Sequence, residues 1–111
     1  MNTVNIIKEE QAQVLRNFFL LIKNRDLSLS TVGDIIKSLD NPILFTKQLI
    51  YKISLGEIPK GKKLKENKRF IFLFFLLIKI ERMMNTDPAN GKNRLAVLIF
   101  FIGQEISMIS S

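Results

Sequence analysis

The residues left to do chemistry in this chain are carboxylates, lysines, serines and threonines, because it contains no histidine and no cysteine. That removes imidazole general bases, thiolate nucleophiles, disulfides and nearly all zinc, haem and iron–sulfur ligation. The remaining acids do not form a catalytic pair. Glu9 and Glu10 are adjacent, so on a helix they point about 100° apart and cannot share one substrate atom. Glu81 and Glu105 border apolar runs, where burial would favour a general acid, but Lys79 and Arg82 offer the first of them a plain ionic explanation. No Gly-rich phosphate loop, no Gly-x-Ser-x-Gly elbow and no carboxylate cluster at metal-ligand spacing occurs. The expectation is a non-enzymatic protein with no cofactor, no metal and no small-molecule substrate.

Binding is the chemistry that the residue types do support. Lys60, Lys62, Lys63, Lys65, Lys68 and Arg69 stand against one acid, Glu66, so this segment carries +5 of the chain's net charge of +7. Charge so concentrated predicts an anionic partner, and lysines on a loop suit phosphate contacts that add affinity and salt dependence without sequence readout. No aromatic residue is interleaved among these lysines, which argues against single-strand stacking. A solvated loop that merely aids solubility is the plain alternative.

A second candidate lies upstream. Residues 31–55 can be laid out as helix, turn and helix, with Thr46, Lys47 and Gln48 as base-edge readers and Lys52 for a phosphate. The fit is imperfect. Gly33 falls inside the first helix instead of the turn, and Ile43, Leu44 and Phe45 occupy the turn that a recognition helix presents to DNA.

The third candidate is apolar. Two uninterrupted runs, residues 70–78 and 95–102, hold nine and eight apolar residues, where a spanning helix needs roughly 20. Arg69, Lys79, Glu81 and Arg82 flank the first run, Arg94 and Glu105 the second, so both are expected inside a bundle and not across a membrane. A small domain cannot easily surround two such helices, and leftover apolar surface marks an interface. The aromatic cluster Phe70, Phe72, Phe74, Phe75, Phe100 and Phe101 is the place to expect it, with a homodimer or a dedicated protein partner as its occupant.

The elements that must position these groups are helices throughout, since apolar residues recur at helical spacing and no sustained strand alternation is present. At 111 residues, with 47% hydrophobic and 24% charged, the chain predicts one all-α domain over residues 1–111. It reads as a compact bundle of about five helices. The spacing places them near residues 4–24, 31–39, 42–55, 64–84 and 89–108, with the last two strongly apolar and central.

Thr3 is expected to cap the first, whose core face holds Ile6, Ile7, Val14, Leu15, Phe18, Phe19, Leu21 and Ile22. Ser30 with Asp34 is expected to start the second, Asp40-Asn41-Pro42 the third and Asp87-Pro88 the fifth. In the third, Leu44 and Tyr51 are assigned to the core beside Phe45, Leu49, Ile50 and Ile53. Gly56 is expected to end it. The first ten residues lack the basic and apolar regions of a signal peptide, so the cytoplasm is the expected compartment.

Two functions follow as expectations. The first is a small DNA-associated regulator, a helical dimer that binds DNA or another polyanion through the basic segment. The alternative is a protein-interaction module (a chaperone, inhibitor, immunity protein or assembly adaptor) that buries the aromatic surface against a partner chain, the lysines steering it to an acidic protein. The strength and clustering of the charge tilt the expectation toward the regulator. Peripheral attachment to anionic lipid is a minor third.

Overall fold

A proline follows a capping residue at two places in the chain, and at both a helix begins. Asn41 accepts a hydrogen bond from the Leu44 N–H through its side-chain oxygen (3.1 Å), and Pro42 occupies the first helical position, where its missing N–H costs nothing. Asp87 does the same for the Asn90 N–H (3.4 Å) ahead of Pro88. The computed structural model describes the backbone of residues 3–58 and 69–110 and the side chains of 11–58 and 71–109. It contains five helices: α1 (Thr3–Lys23), α2 (Leu29–Ser38), α3 (Pro42–Ser54), α4 (Arg69–Thr86) and α5 (Pro88–Ser110). Among the described residues there is no strand, so the all-α bundle expected from periodicity is what the chain forms.

Two helices end in the same six-residue motif. After α1, the Arg25 N–H donates to Ile22 O (3.2 Å) and the Asp26 N–H to Leu21 O (2.9 Å). After α3, the Gly56 N–H donates to Ile53 O (3.0 Å) and the Glu57 N–H to Lys52 O (3.1 Å). Both closures need a left-handed residue, supplied by Gly56 (φ 78°) without strain and by Arg25 (φ 58°) against its Cβ.

The start of α2 differs from the expectation. Ser28, not Ser30, is the cap: its Oγ accepts from the Thr31 N–H (3.1 Å) while Thr31 Oγ1 accepts from the Ser28 N–H (2.9 Å). This reciprocal pair begins the helix at Leu29 and turns Val32 and Ile36 inward. Ser28→Ala removes the Oγ that accepts from the Thr31 N–H while keeping the bond from its own N–H to Thr31 Oγ1, and is expected to cost about 1 kcal/mol of stability, read by chemical denaturation.

All five helices feed one core. Phe18 and Ile22 from α1, Val32 and Ile36 from α2, Phe45, Leu49, Ile50 and Ile53 from α3, and Leu77 and Ile80 from α4 are buried with six residues of α5. The radius of gyration, 13.7 Å, is close to the ~13 Å of a compact chain of this size. α5 packs on α4, α2 and α1, and α4 packs on α5 and α3.

That pattern corrects one part of the sequence reading. α5 is central, but α4 is covered on one side only, and five of its large apolar residues lie exposed. Leu44 and Tyr51 of α3 are likewise at the surface instead of in the core. The expected start of the fourth helix near residue 64 lies outside the described residues, as do the side chains of Ile6 and Ile7. Among the described residues no helix is long and apolar enough to cross a membrane.

Candidate interaction surface

Over residues 70–78 α4 is apolar around its whole circumference, so packing alone decides which of these residues meet solvent. At 100° per residue, Leu73, Leu77, Ile80 and Met84 share one side, and these are buried or half-buried against the core. Ile71, Phe75, Ile78 and Arg82 fall on the opposite side, with Phe72 and Phe74 at its edges. Exposure is 62% at Ile71, 62% at Phe72, 38% at Phe74, 60% at Phe75 and 46% at Ile78. With a phenylalanine offering about 200 Å² and isoleucine somewhat less, these five residues present on the order of 500 Å² of apolar surface. That lies at the upper end of what a monomer normally leaves open.

α5 adds to it. The Cβ of an alanine at Gly91 would stand 3.0 Å from the Met84 Cα, so the two helices run close together where residues 84 and 91 pass each other. The turn at Asp87 reverses the chain, and counting ten residues along both helices brings Phe101 level with Phe74. Phe101 is 56% exposed, and its ring leans on the half-buried Phe100 at 6.0 Å between centroids. Of the aromatic cluster expected to form an interface, Phe72, Phe74, Phe75 and Phe101 are therefore at the surface. Phe100 is packed against the core, and the side chain of Phe70 lies outside the described part. Sequence reasoning passed over Ile71 and Ile78. Their spacing with Phe75, four and three residues apart, is the signal that marks one helix face.

The α3 candidates separate from one another. Thr46 is fully buried and its hydroxyl donates to Pro42 O (2.8 Å), so it has no surface to offer a base edge, and its assignment as a reader is corrected. Lys47 is half-exposed and its Nζ lies 3.1 Å from Glu81 Oε2, which ties α3 to α4. A half-solvated pair of this kind contributes at most about 1 kcal/mol. It also explains Glu81 differently from the sequence reading, where Lys79 and Arg82 were its neighbours. Gln48 is exposed and Lys52 half-buried. Both border an open cleft of about 380 Å³ between α1 and α3 that Leu15, Phe45 and Leu49 also line. A second cleft, about 450 Å³, lies beside the Lys47–Glu81 pair.

Lys60, Lys62, Lys63, Lys65 and Lys68 lie outside the described residues, as does the side chain of Arg69, whose backbone opens α4. Among the described residues no three carboxylates come together as a metal site would require. Comparison with known proteins finds no relative: no protein-family model, no curated protein and no solved structure matches this chain.

Proposed function

We propose that this chain is a non-enzymatic helical interaction module that docks another protein on the exposed face of α4, with Phe101 of α5 at its border. The observation that carries the reading is the size and purity of that face. A standard interface covers about 800 Å² per partner, of which about 60% is apolar. The roughly 500 Å² shown by Ile71, Phe72, Phe74, Phe75 and Ile78 equals the apolar content of one such side. Aromatic residues near the centre of a patch are also the type that carries binding energy.

A second reading, a regulator bound to DNA or another polyanion, is favoured by one observation: residues 60–69 concentrate +5 of the net charge. The burial of Thr46 takes away a reader from its sequence-specific form, leaving Lys47, Gln48 and Lys52 on α3.

One experiment separates them. A photo-reactive phenylalanine analogue is placed in turn at Phe75, at Phe101 and, as a control on the outer face of α1, at Gln13. In its native cell extract the chain should form one discrete adduct from Phe75 and Phe101 and none from Gln13. Identical patterns from all three positions, or none from any, would sink the docking reading. The same protein is run by size exclusion with light scattering, with and without a mixed-sequence duplex at low and high salt. Co-migration at low salt alone would shift the reading to the polyanion binder.

A further inference from the structure

A patch that pairs two identical chains about a two-fold axis must be complementary to itself, and the exposed face of α4 meets that condition. Ile71, Phe72, Phe74, Phe75 and Ile78 bring no charge and no hydrogen-bonding side chain to it. Among the described side chains of α4, Lys79 and Arg82 are the exposed cations, and Glu81 is paired with Lys47 of α3. Ile71, Phe75, Ile78 and Arg82 follow one another at steps of four, three and four residues. That is the spacing of a seam in which one helix seats its side chains between those of another.

We infer that the protein docked on this face is a second copy of the chain, its α4 running antiparallel to the first, in a reversible dimer of two folded copies. The inference rests on the docking reading above and names the occupant. Area carries it. Homodimer interfaces are about 65% apolar, against about 57% where the partners differ, so a face without a polar group at its centre suits a like partner better. At that proportion the roughly 500 Å² of apolar surface corresponds to about 770 Å² per copy, or about 1,500 Å² in the dimer, which is the size of a stable, specific interface.

Charge fixes the direction. With Phe75 of each copy set on Ile78 of the other, Ile71 lies level with Arg82 of the second copy, whose aliphatic stem can cover it. The two Arg82 residues are then about 16 Å apart along the axis, beyond the screening length of about 8 Å at physiological salt. Lys79 comes beside Phe72 of the second copy, which sets an ammonium against an aromatic ring. A parallel pairing would bring Lys79 to Lys79 and Arg82 to Arg82, like charge on like charge.

Size exclusion with light scattering over a concentration series should show the mass rising to twice the chain's 12.8 kDa, at high salt as at low, because apolar contact is not screened. Phe75→Glu and Ile78→Lys each set an unpaired charge in the seam, twice over by symmetry. Each is expected to weaken association at least about 100-fold, with circular dichroism unchanged because both positions are exposed. An equimolar mixture of the two variants should regain the doubled mass. In the antiparallel register the introduced carboxylate meets the introduced ammonium at one contact, and Ile78 meets Phe75 at the other. A parent that stays a single chain throughout the series overturns the inference. So does a dimer that survives both substitutions, or a mixture that remains monomeric. If the parent is monomeric and the photo-adduct from Phe75 has a mass other than double, a different protein occupies the face, and the second copy falls while the docking reading stands.

Discussion

Truncating Phe18 to alanine is expected to destabilise the fold by about 3–5 kcal/mol. The side chain has no exposed surface, and it seats α1 against α5 at Gly103. Its ring meets Phe19 edge-on at 6.0 Å, and its tip approaches the backbone of Gly103 on α5. A domain of this size holds roughly 5–15 kcal/mol in total, so the loss would leave it marginal at room temperature. Chemical denaturation followed by far-ultraviolet circular dichroism should show a lower midpoint at an unchanged slope. A loss below about 1 kcal/mol would mean that α1 is not held where Phe18 places it.

Gly103 gives the converse probe of the same contact. A Cβ there would stand 2.6 Å from Leu27 Cδ2 and 3.1 Å from Phe18 Cζ, so Gly103→Ala overfills the joint and should cost about 1–3 kcal/mol. Once Phe18 has been truncated, the 3.1 Å contact is gone while the closer one to Leu27 remains. The double variant should therefore lose less than the two single losses combined, a coupling that only residues in contact produce.

What was legible in the sequence was local. Asn41-Pro42 and Asp87-Pro88 announced helix starts correctly because a cap and a following proline act within four residues of chain. Gly56 announced the end of α3 for the same reason. Ser28 and Ser30 sit two residues apart, and both can cap. The choice fell to Ser28 because only Thr31 can return the bond, and a threonine in that place is a weaker signal than the usual acid or amide.

The surface was harder to read, since residue type does not count neighbours. α4 and α5 are equally apolar in sequence, yet α5 packs against three helices, whereas the two that α4 meets cover only one of its sides, and this decides that Phe75 is exposed and Ile99 is not. Thr46 misled in the opposite direction: a polar residue was hidden by returning its hydroxyl to Pro42 one turn back. Glu81 was paired on paper with its neighbours in sequence. On a helix, residues one and two positions away do not face each other, and the partner came from another element.

Replacing Phe72 and Phe75 together with serine is expected to leave stability within about 0.5 kcal/mol of the parent while removing partner binding. The two rings are of the same type as Phe18, and the opposite expectation follows entirely from their exposure. Neither contributes to the core, so folding gains little from them, and they stand in a contiguous apolar patch of the size that marks an interaction site. If they are central to the docking face, their loss should cost at least 2 kcal/mol of binding, or about 30-fold in affinity for the docked protein partner. Emission from an apolar dye should fall in parallel. A variant that lost several kcal/mol of stability would show that these rings pack against the chain itself, in which case the face of α4 is part of the fold and not an interface.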